Sequence, residues 1–582
     1  MTESIFKTKV LGHPAGLFVL FFTEMWERFS YYGMRALLVI FLTASLLDNG
    51  WGWTRENALA LFGTYTALVY LSTLLGGYAA DHKMGYRWAV VLGALLMTLG
   101  HAFMAGETPL FIYLGLTALV LGSGFFKPNM TAIISEMYEE HIEKKDGAFT
   151  IYYMGVNAGA FFGILFCGYL GENYGWRYGF SLAGIFMLFG LLQFWLAQDI
   201  FGDIGKKPHP HLPSENTNTA RQVLQDKRVP FSLGQNIIIA ICSLVGFLWV
   251  LNDPIEKISD GKYSFFPFSW GSFSGGDVVI LATLALFLLL LGYRLRQYSK
   301  ITREKLIAVG FFAFITIFFW AIFEQAPGTL TIFAKSYTNR VLDGTWSHIF
   351  KVVNALMTLI PLGIVSWVLY LLFQKTFEKY AFPNIVLALS FVIVWGIAIW
   401  MIRTDFAKET SEIPATWFGV LNSLYIITFA PLFSRIWESK YNPNANLKFG
   451  IGMFLLAAGM AVVAIGSRNI GVGAQTASVS MLWLVFVYLF HTLGELCISP
   501  LGLSYVSKLV PPRMISFMFG IWYLAIAIGN KTAGKLGENI DKIANVHGIS
   551  YFFWILCIIP LVIGVLAILL TPLMRKYMHG VR

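Results

Sequence analysis

The feature that most constrains this chain is a series of long apolar runs separated by short polar segments. Many runs reach about 20 residues, the length an α-helix needs to cross the hydrocarbon core of a bilayer. Inside lipid every backbone N–H and C=O must be satisfied within the segment, so such runs form helices rather than strands. The sequence therefore predicts an all-α polytopic membrane protein.

The spacing of the runs predicts how many helices cross the membrane. We expect 16 spans, at about residues 14–46, 58–81, 87–105, 109–136, 148–170, 177–198, 232–252, 277–295, 305–337, 347–374, 383–402, 415–438, 448–467, 478–508, 514–531 and 549–574. A polar stretch from Phe201 to Pro230, rich in Pro, Asn and charged residues, follows the sixth span. Such a composition predicts a cytoplasmic linker between two halves.

Composition and charge placement limit the possible functions. Of the 582 residues, 57% are hydrophobic and 13% are charged, whereas soluble domains carry about 25% charged residues. The net charge of +10 comes from Lys and Arg in short loops between the apolar runs, where the positive-inside rule places them. We therefore expect both termini in the cytoplasm and no nucleic-acid partner, although Lys531, Lys535 and Lys542 share a predicted outer loop.

Ionisable residues within the apolar runs are the strongest functional signal, because a charge at membrane depth is costly unless it is paired or hydrated. The first run carries Glu24, Glu27, Arg28, Tyr31 and Arg35. Spacings of three and four residues place most of them on one helical face. A structural ion-pair cluster that holds helices together is the alternative interpretation, but small residues join helices at lower cost.

Three other runs carry single charges, namely Lys127, Glu324 and Glu495. Together with the first run, this makes four acids and three bases. In a low-dielectric cavity, neutrality then requires one carboxylate to hold a proton, so proton binding depends on which ion pairs are closed. The sequence therefore predicts proton coupling among these groups.

Cationic and anionic side chains on separate walls suit a zwitterionic substrate. Arg35 and Lys127 can hold a carboxylate, while Glu495 can hold an ammonium group. Tyr153 and Asn157 share a helical face, and Asn422 interrupts another apolar run, so these groups can orient a peptide backbone. An intramembrane Asn serves equally well as a contact between helices.

Four motifs resemble those of one transporter family. The pattern ExxERFxYY is formed by Glu24, Glu27, Arg28, Phe29, Tyr31 and Tyr32. Residues 76–87 (GGYAADHKMGYR), 151–160 (IYYMGVNAGA) and 494–504 (GELCISPLGLS) are similar to further family segments. On these residues the chain closely resembles the proton-dependent oligopeptide transporter (POT) family of the major facilitator superfamily. The resemblance covers nearly the whole chain and is weakest in the linker and the insertion described next.

The resemblance implies a major facilitator fold, in which two six-helix bundles enclose a substrate cavity near the membrane centre. We expect residues 1–200 to form the N-terminal bundle, 201–303 the cytoplasmic linker with two additional transmembrane helices, and 304–582 the C-terminal bundle. Residues 417–433 (WFGVLNSLYIITFAPLF) resemble family helix eight. An extra two-helix hairpin at about 347–403 is therefore expected between helices seven and eight.

The resemblance also implies roles for individual residues. Proton coupling is expected of Glu24, Glu27, Arg28, Lys127, Glu324 and Glu495. Two gating salt bridges, Arg35–Glu324 and Lys127–Glu495, are expected to close opposite the open side. Substrate contacts are expected from Tyr31, Arg35, Tyr70, Lys127, Tyr153, Asn157, Trp320, Asn422, Glu495 and Trp522.

The sequence departs from family patterns at two of these helices. The histidine that animal members carry in helix two is Gly63 here, and Phe323 precedes Glu324 where some bacterial members have a second glutamate. His491 lies four residues before Glu495. A proton relay through His491 is one interpretation, and a packing histidine is the simpler one.

These features predict a symporter that imports di- and tripeptides across the plasma membrane by alternating access, driven by protons and using no cofactor. We expect a multi-pass monomer in the bacterial inner membrane. Nitrate or another small solute is the alternative substrate, which the complete ExxER set and Glu495 disfavour. An enzyme is disfavoured because the sequence has no HExxH, GxxxxGKS or GxSxG motif and no metal-ligand cluster.

Overall fold

The computed structural model describes residues 8–206, 230–271, 273–440, 442–499, 502–510 and 514–580. A short antiparallel pair, β1 (Lys9–Val10) and β2 (His13–Pro14), comes first. The N-terminal half then has six long helices: α1 Ala15–Thr43, α2 Arg55–Ala79, α3 Gly85–Met104, α4 Pro109–Met137, α5 Ile142–Tyr174 and α6 Trp176–Leu196. A π-helical turn, Ala80–Met84, joins α2 directly to α3.

Two helices stand between the halves, and we call them the linker hairpin: α7 (Leu233–Ile258) and α8 (Gly275–Leu295). Their connection contains an antiparallel pair, β3 (Ser269–Trp270) and β4 (Phe273–Ser274). Each helix begins with a capping box, formed by Ser232 with Gln235 in α7 and by Ser274 with Asp277 in α8. In each box the serine side chain accepts from the backbone N–H of its partner, and the partner's side chain accepts from the backbone N–H of the serine. The part of the predicted linker at 207–229 lies outside the described residues.

The C-terminal half continues the helical pattern. Its helices are α9 Lys300–Phe323, α10 Thr331–Tyr337, α11 Gly344–Thr376, α12 Ala381–Ala407, α13 Val420–Glu438, α14 Ala445–Gly466, α15 Leu482–Ile498, α16 Gly502–Leu509, α17 Ile515–Gly537, α18 Ile540–His547, α19 Ile549–Leu569 and α20 Thr571–Tyr577. Two-residue strands tie its loops: β5 (Thr338–Asn339) is parallel to β8 (Val479–Ser480), and β6 (Val341–Leu342) is antiparallel to β7 (Ser411–Glu412).

The span predicted at 305–337 is divided in the structure. Helix α9 ends at Phe323, and a π-helical turn, Ala326–Leu330, precedes α10. Pro327 lies in that turn, where its missing N–H interrupts the helical hydrogen bonds. Likewise, the span predicted at 478–508 contains both α15 and α16.

The helices are long and apolar enough for a membrane protein. Among the described residues, 12 stretches meet this description, and one of them, Arg55–Met104, contains both α2 and α3. Helix α1 has 29 residues but carries four charges, so it falls outside this group. All its residues except Tyr32 and Thr43 are buried. The predicted all-α polytopic fold is confirmed, and its most charged helix is enclosed by the others.

Three glycines hold α1 against α5. Gly155, Gly159 and Gly163 recur every four residues on α5, and each lies against the backbone of α1. A Cβ on Gly159 would meet the carbonyl oxygen of Met25 and lie 2.8 Å from the Cβ of Arg28. Small residues at this spacing let two helix backbones approach closely. The contact fixes the position of the charged face of α1.

The two halves meet at the end of the molecule where α1 ends and α2 begins, which we call the α1–α2 end. There Arg55 Nη1 donates to Asp541 Oδ1 at 2.8 Å. Next to this pair, Lys542 Nζ donates to Glu56 Oε1 at 2.9 Å. These ion pairs join the start of α2 to α18, directly after α17.

A second contact at the same end joins α5 to the 3₁₀ turn Ala415–Gly419, which directly precedes α13. The carboxylate of Glu172 accepts hydrogen bonds from the backbone N–H groups of Ala415 and Thr416 at 3.0 and 2.9 Å. We call these interbundle contacts at the α1–α2 end the closing seam. The hydrogen bonds and ion pairs that join a described residue of one bundle to a described residue of the other lie in this half of the molecule.

The pair α11 and α12, at the position of the expected extra hairpin, covers the N-terminal half. The Phe391 ring of α12 makes edge contacts with Phe22 and Trp26 of α1, with ring centroids 5.7 and 5.5 Å apart. Near the end of α12, the Tyr169 hydroxyl donates to Asp405 Oδ1 at 3.1 Å. The hairpin therefore belongs to the C-terminal half by sequence but packs behind α1.

The glycine contact predicts a local cost of added volume. Gly159→Leu should push α5 away from α1 and lower the free energy of unfolding by about 1–3 kcal/mol or more, because overpacking forces backbone shifts. Thermal unfolding in detergent measures this. The control is Gly246→Leu on α7, where a Cβ meets nothing within 4 Å. Equal melting temperatures for the two variants would contradict the account of the contact.

Candidate functional site

The charged face of α1 forms a compact buried cluster. Arg28 Nη2 donates to Glu27 Oε1 at 2.6 Å, and Arg28 Nε donates to the second oxygen of the same carboxylate. The Nε of Arg28 also lies 3.2 Å from Glu24 Oε1. The exposed fractions of Glu24, Glu27 and Arg28 are 3%, 0% and 4%. One guanidinium thus neutralises one of two carboxylates.

The second carboxylate of this cluster is incompletely satisfied. Glu24 Oε2 has no hydrogen-bond partner among the described residues. A buried carboxylate without full pairing is a group that gains stability by binding a proton. The arrangement is therefore suited to reversible protonation at Glu24.

A second buried ion pair joins the two bundles two turns further along α1. Arg35 Nη2 donates to Glu324 Oε2, at the end of α9. The rings of Tyr31, Tyr32 and Phe62 surround the Arg35 guanidinium, with centroids 5.8, 5.7 and 5.7 Å away. The pair is thus enclosed by aromatic groups and closed in this structure.

Lys127 lies on α4, near the α1 cluster of Glu24, Glu27 and Arg28. Its Nζ is 4.2 Å from the centroid of the Tyr70 ring, a distance typical of a cation–π contact. It lies near enough to Arg28, Glu27 and Glu24 for all three charges to act on it. Lys127 therefore contacts an aromatic face and lies within the field of the whole α1 cluster.

Glu495 is held within the C-terminal bundle. Asn422 Nδ2 on α13 donates to Glu495 Oε2 at 2.9 Å and to the Thr492 hydroxyl at 3.0 Å. None of the ion pairs between described residues joins Glu495 to Lys127. The two expected gate pairs are therefore in opposite states, with Arg35–Glu324 closed and Lys127–Glu495 open.

The remaining predicted substrate contacts lie on both bundles. The Tyr70 and Trp320 rings meet across the bundles with centroids 6.5 Å apart. Tyr153 is 46% exposed and lies near enough to Glu495 to interact with it electrostatically. The Asn157 amide instead donates to the backbone carbonyl of its own helix at Tyr153, at 2.9 Å.

Tyr31 and Trp522 lie behind neighbouring groups in this conformation. Tyr31 is 3% exposed and lies under Arg28, whose guanidinium carbon is 5.0 Å from the ring centroid. Trp522 is 5% exposed and its indole packs against Gly502. In this conformation both residues support the walls of the site, and their roles in binding stay predictions.

The structure explains the departure at Gly63 and tests the relay through His491. A Cβ on Gly63 would lie 2.8 Å from the Cα of Gly534, so a histidine does not fit where α2 crosses α17. His491 is 1% exposed, its ring lies 6.3 Å from that of Phe323, and neither ring nitrogen has a hydrogen-bond partner in the described parts of the chain. No relay from His491 to Glu495 is formed in this conformation.

Sequence reasoning missed two side chains near the site. Thr492 shares the Asn422 amide with Glu495, and its position three residues before Glu495 on α15 is the signal that identifies it. Tyr32 contacts both Arg28 and Arg35, at 5.9 and 5.7 Å from its ring centroid. It belongs to the ExxERFxYY pattern without a predicted role in the site, and the pattern is the signal that could have assigned one.

The fold and the site define a class. Many membrane-spanning helices, two bundles joined at one end, and interbundle charges at membrane depth are the features of a secondary transporter. Within the described residues, no group of three or more His, Cys, Asp or Glu side chains is arranged to hold a metal ion.

Comparison with known proteins identifies the family. The sequence model of the POT family matches residues 87–230 and 390–555. The peptide transporter YePEPT of Yersinia enterocolitica is 31% identical over 577 residues, covering 97% of this chain and 95% of that protein. A di-/tripeptide transporter of Lactococcus lactis subsp. cremoris is 29% identical, covering 98% of both. The chain belongs to the POT family, and it is a transporter rather than an enzyme.

Solved structures agree with the assignment. The crystal structure of peptide transporter POT in complex with sulfate matches with a TM-score of 0.70 and 26% identity, covering 100% of both chains. A POT family transporter in complex with 5-aminolevulinic acid matches with a TM-score of 0.70 and 26% identity, covering 98% of this chain and 99% of that one. The predicted major facilitator fold is confirmed.

The Arg35–Glu324 pair generates a test of coupling energy. Arg35→Met or Glu324→Gln alone leaves a buried charge unpaired and should cost about 3–5 kcal/mol of unfolding free energy. The double variant leaves no unpaired charge, so its loss should be smaller than the sum of the single losses. Unfolding in detergent measures all three, with exposed Arg403→Met on α12 as the control. Single losses that simply add would contradict a direct pair.

Proposed function

We propose that this protein is a proton-coupled symporter that imports di- and tripeptides across the plasma membrane, in bacteria the inner membrane, by alternating access. One observation carries the proposal: the Arg35–Glu324 pair is closed while the Lys127–Glu495 pair is open. Two interbundle pairs in opposite states are what a two-bundle transporter with one accessible side requires. The names of the relatives, which include peptide and di-/tripeptide transporters, support the substrate class.

The proposed orientation places the α1–α2 end outside and both termini in the cytoplasm. The loops at the opposite end carry basic residues such as Lys83 and Lys145, in agreement with the positive-inside rule. The outer lysines that break this rule have acidic partners. Lys542 binds Glu56, and Lys531 and Lys535 both bind Asp253.

The site can bind both ends of a peptide. Glu495, now holding the Asn422 amide, can exchange that donor for the peptide ammonium group. Lys127 is the cation available to the peptide carboxylate, because Arg35 is bound to Glu324. Tyr70, Trp320, Asn157 and the other predicted contacts would complete the pocket between these ends.

Proton coupling is proposed to run through the α1 cluster. Arg28 neutralises Glu27 and leaves Glu24 as the carboxylate that takes the proton. When Glu24 loses its proton, its negative charge attracts Lys127 more strongly and disfavours the Lys127–Glu495 pair. Protonation therefore biases which gate closes. The protons are the coupling ion, no cofactor is needed, and a monomer contains every proposed group.

The test compares driven uptake with exchange in proteoliposomes. The wild type should accumulate labelled Ala–Ala when an inward proton gradient and an inside-negative potential are applied. Glu24→Gln and Glu27→Gln should lose this accumulation and retain exchange of internal for external Ala–Ala, because binding and rocking remain while proton coupling is lost.

The exposed Glu143→Gln, at the start of α5, is the matched control and should transport as the wild type does. Driven accumulation at wild-type rates in both α1 variants would contradict the coupling role. Absence of Ala–Ala flux in folded wild-type protein would contradict the substrate class and leave the fold assignment intact.

A further inference from the structure

The linker hairpin contacts both sides of the closing seam. Toward the N-terminal bundle, Thr64 Oγ1 on α2 donates to the carbonyl oxygen of Val250 on α7 at 3.0 Å. Toward the C-terminal bundle, Lys531 Nζ on α17 donates to Asp253 Oδ2 on α7 at 2.5 Å. The same Lys531 ammonium donates to Thr64 Oγ1 at 2.8 Å. Three helices from three parts of the chain thus meet at one ammonium group.

Asp253 is the acid at the centre of this cluster. Its second oxygen accepts from Lys535, and Lys257 lies 3.3 Å away on the same helix. Asp253 and Lys531 are 6% and 2% exposed, so the central pair is shielded from solvent. Glu538 binds Lys257, so Asp253 and Glu538 together offset two of the three lysine charges. The two side chains with the most ion pairs in this cluster, Asp253 and Lys257 with three each, are therefore on the linker hairpin, outside both bundles.

Lys531 is buried in this structure, in which the seam is closed. Gly534, one turn along α17, lies against Gly63 of α2, where an added Cβ would come within 2.8 Å of the opposite backbone. Lys531 lies one turn from this close helix contact and is 2% exposed. A buried ammonium group is tolerated only when a counter-charge and hydrogen bonds satisfy it. Thr64 supplies one neutral acceptor, and Asp253 supplies the charge.

We propose that Asp253 is a positioning residue for the transport cycle: its carboxylate neutralises Lys531 and thereby stabilises the conformer in which the closing seam is shut. This rests on the alternating-access function proposed above. The hairpin packs along α2 and receives a hydrogen bond from Thr64, whereas it holds α17 mainly through the ion pairs of Asp253 and Lys257. When the seam opens, α17 therefore separates from α2 and the hairpin, and the ion pairs that join α17 to the hairpin are broken.

Hydrogen–deuterium exchange of the full-length protein in detergent, without peptide or proton gradient, tests the proposal. In Asp253→Asn, backbone amides at the α1–α2 end, in residues 55–62 and 540–547, should exchange about tenfold faster than in the wild type, since the buried ammonium has lost its counter-charge. Amides at the opposite end, in residues 73–79 and 142–149, should exchange more slowly. Faster exchange at both ends indicates general destabilisation and overturns the proposal, as does unchanged exchange.

Three further variants sharpen the result. Asp253→Glu keeps the charge and should exchange as the wild type does. Asp260→Asn, an exposed acid after the same helix, is the matched control and should change nothing. Adding Lys531→Met to Asp253→Asn removes the buried cation and should return exchange toward the wild type, and a larger shift in the double variant would overturn the proposal. Because no substrate is added, failure of peptide transport would leave this result interpretable.

Discussion

Pairing of charge at membrane depth is the constraint on which the rest of this structure depends. Water is excluded from most of α1, so each of its ionisable groups must find a partner in protein. Arg28 finds two carboxylates on its own helix, whereas Arg35 finds one on the other bundle. The first arrangement has two carboxylates for one guanidinium, and the second is an ion pair that joins the two bundles. Both sit on a helix whose position is set by close packing against the glycines of α5.

The same constraint explains why gating and coupling use the same residues. In the proposed mechanism, Arg35–Glu324 stabilises one closed end, and its counterpart Lys127–Glu495 stabilises the other. The two pairs are not closed together while the cavity is open to one side, and protonation of the α1 cluster is proposed to select between them. The linker hairpin follows the same rule, because the buried Lys531 at the seam is paired with Asp253. In this account, transport depends on which partners a small number of buried charged side chains bind in each conformation.

Much of the fold and site could be predicted from the sequence because length and charge leave strong signals in a membrane protein. Apolar runs located the helices, and the rarity of Glu24, Arg35, Lys127 and Glu495 within them marked the site. The state of the gate pairs could not be predicted, since the sequence specifies both pairs equally. The break after Phe323 was only partly visible, because Pro327 marks a weak point without fixing where the helix stops. Asp253 was overlooked because it directly follows the run predicted at 232–252 and because the linker helices were treated as separate from the transport core.

The central claim is that peptide and proton move together through one cavity. It is tested most directly by placing the protein in liposomes with a weakly buffered lumen and a pH-sensitive dye, with no initial pH gradient, and adding Ala–Ala outside. The account predicts that the peptide gradient alone acidifies the lumen, and that liposomes lacking the protein show no such change. Entry of labelled Ala–Ala without acidification would contradict proton coupling and reduce the protein to a facilitator of peptide diffusion.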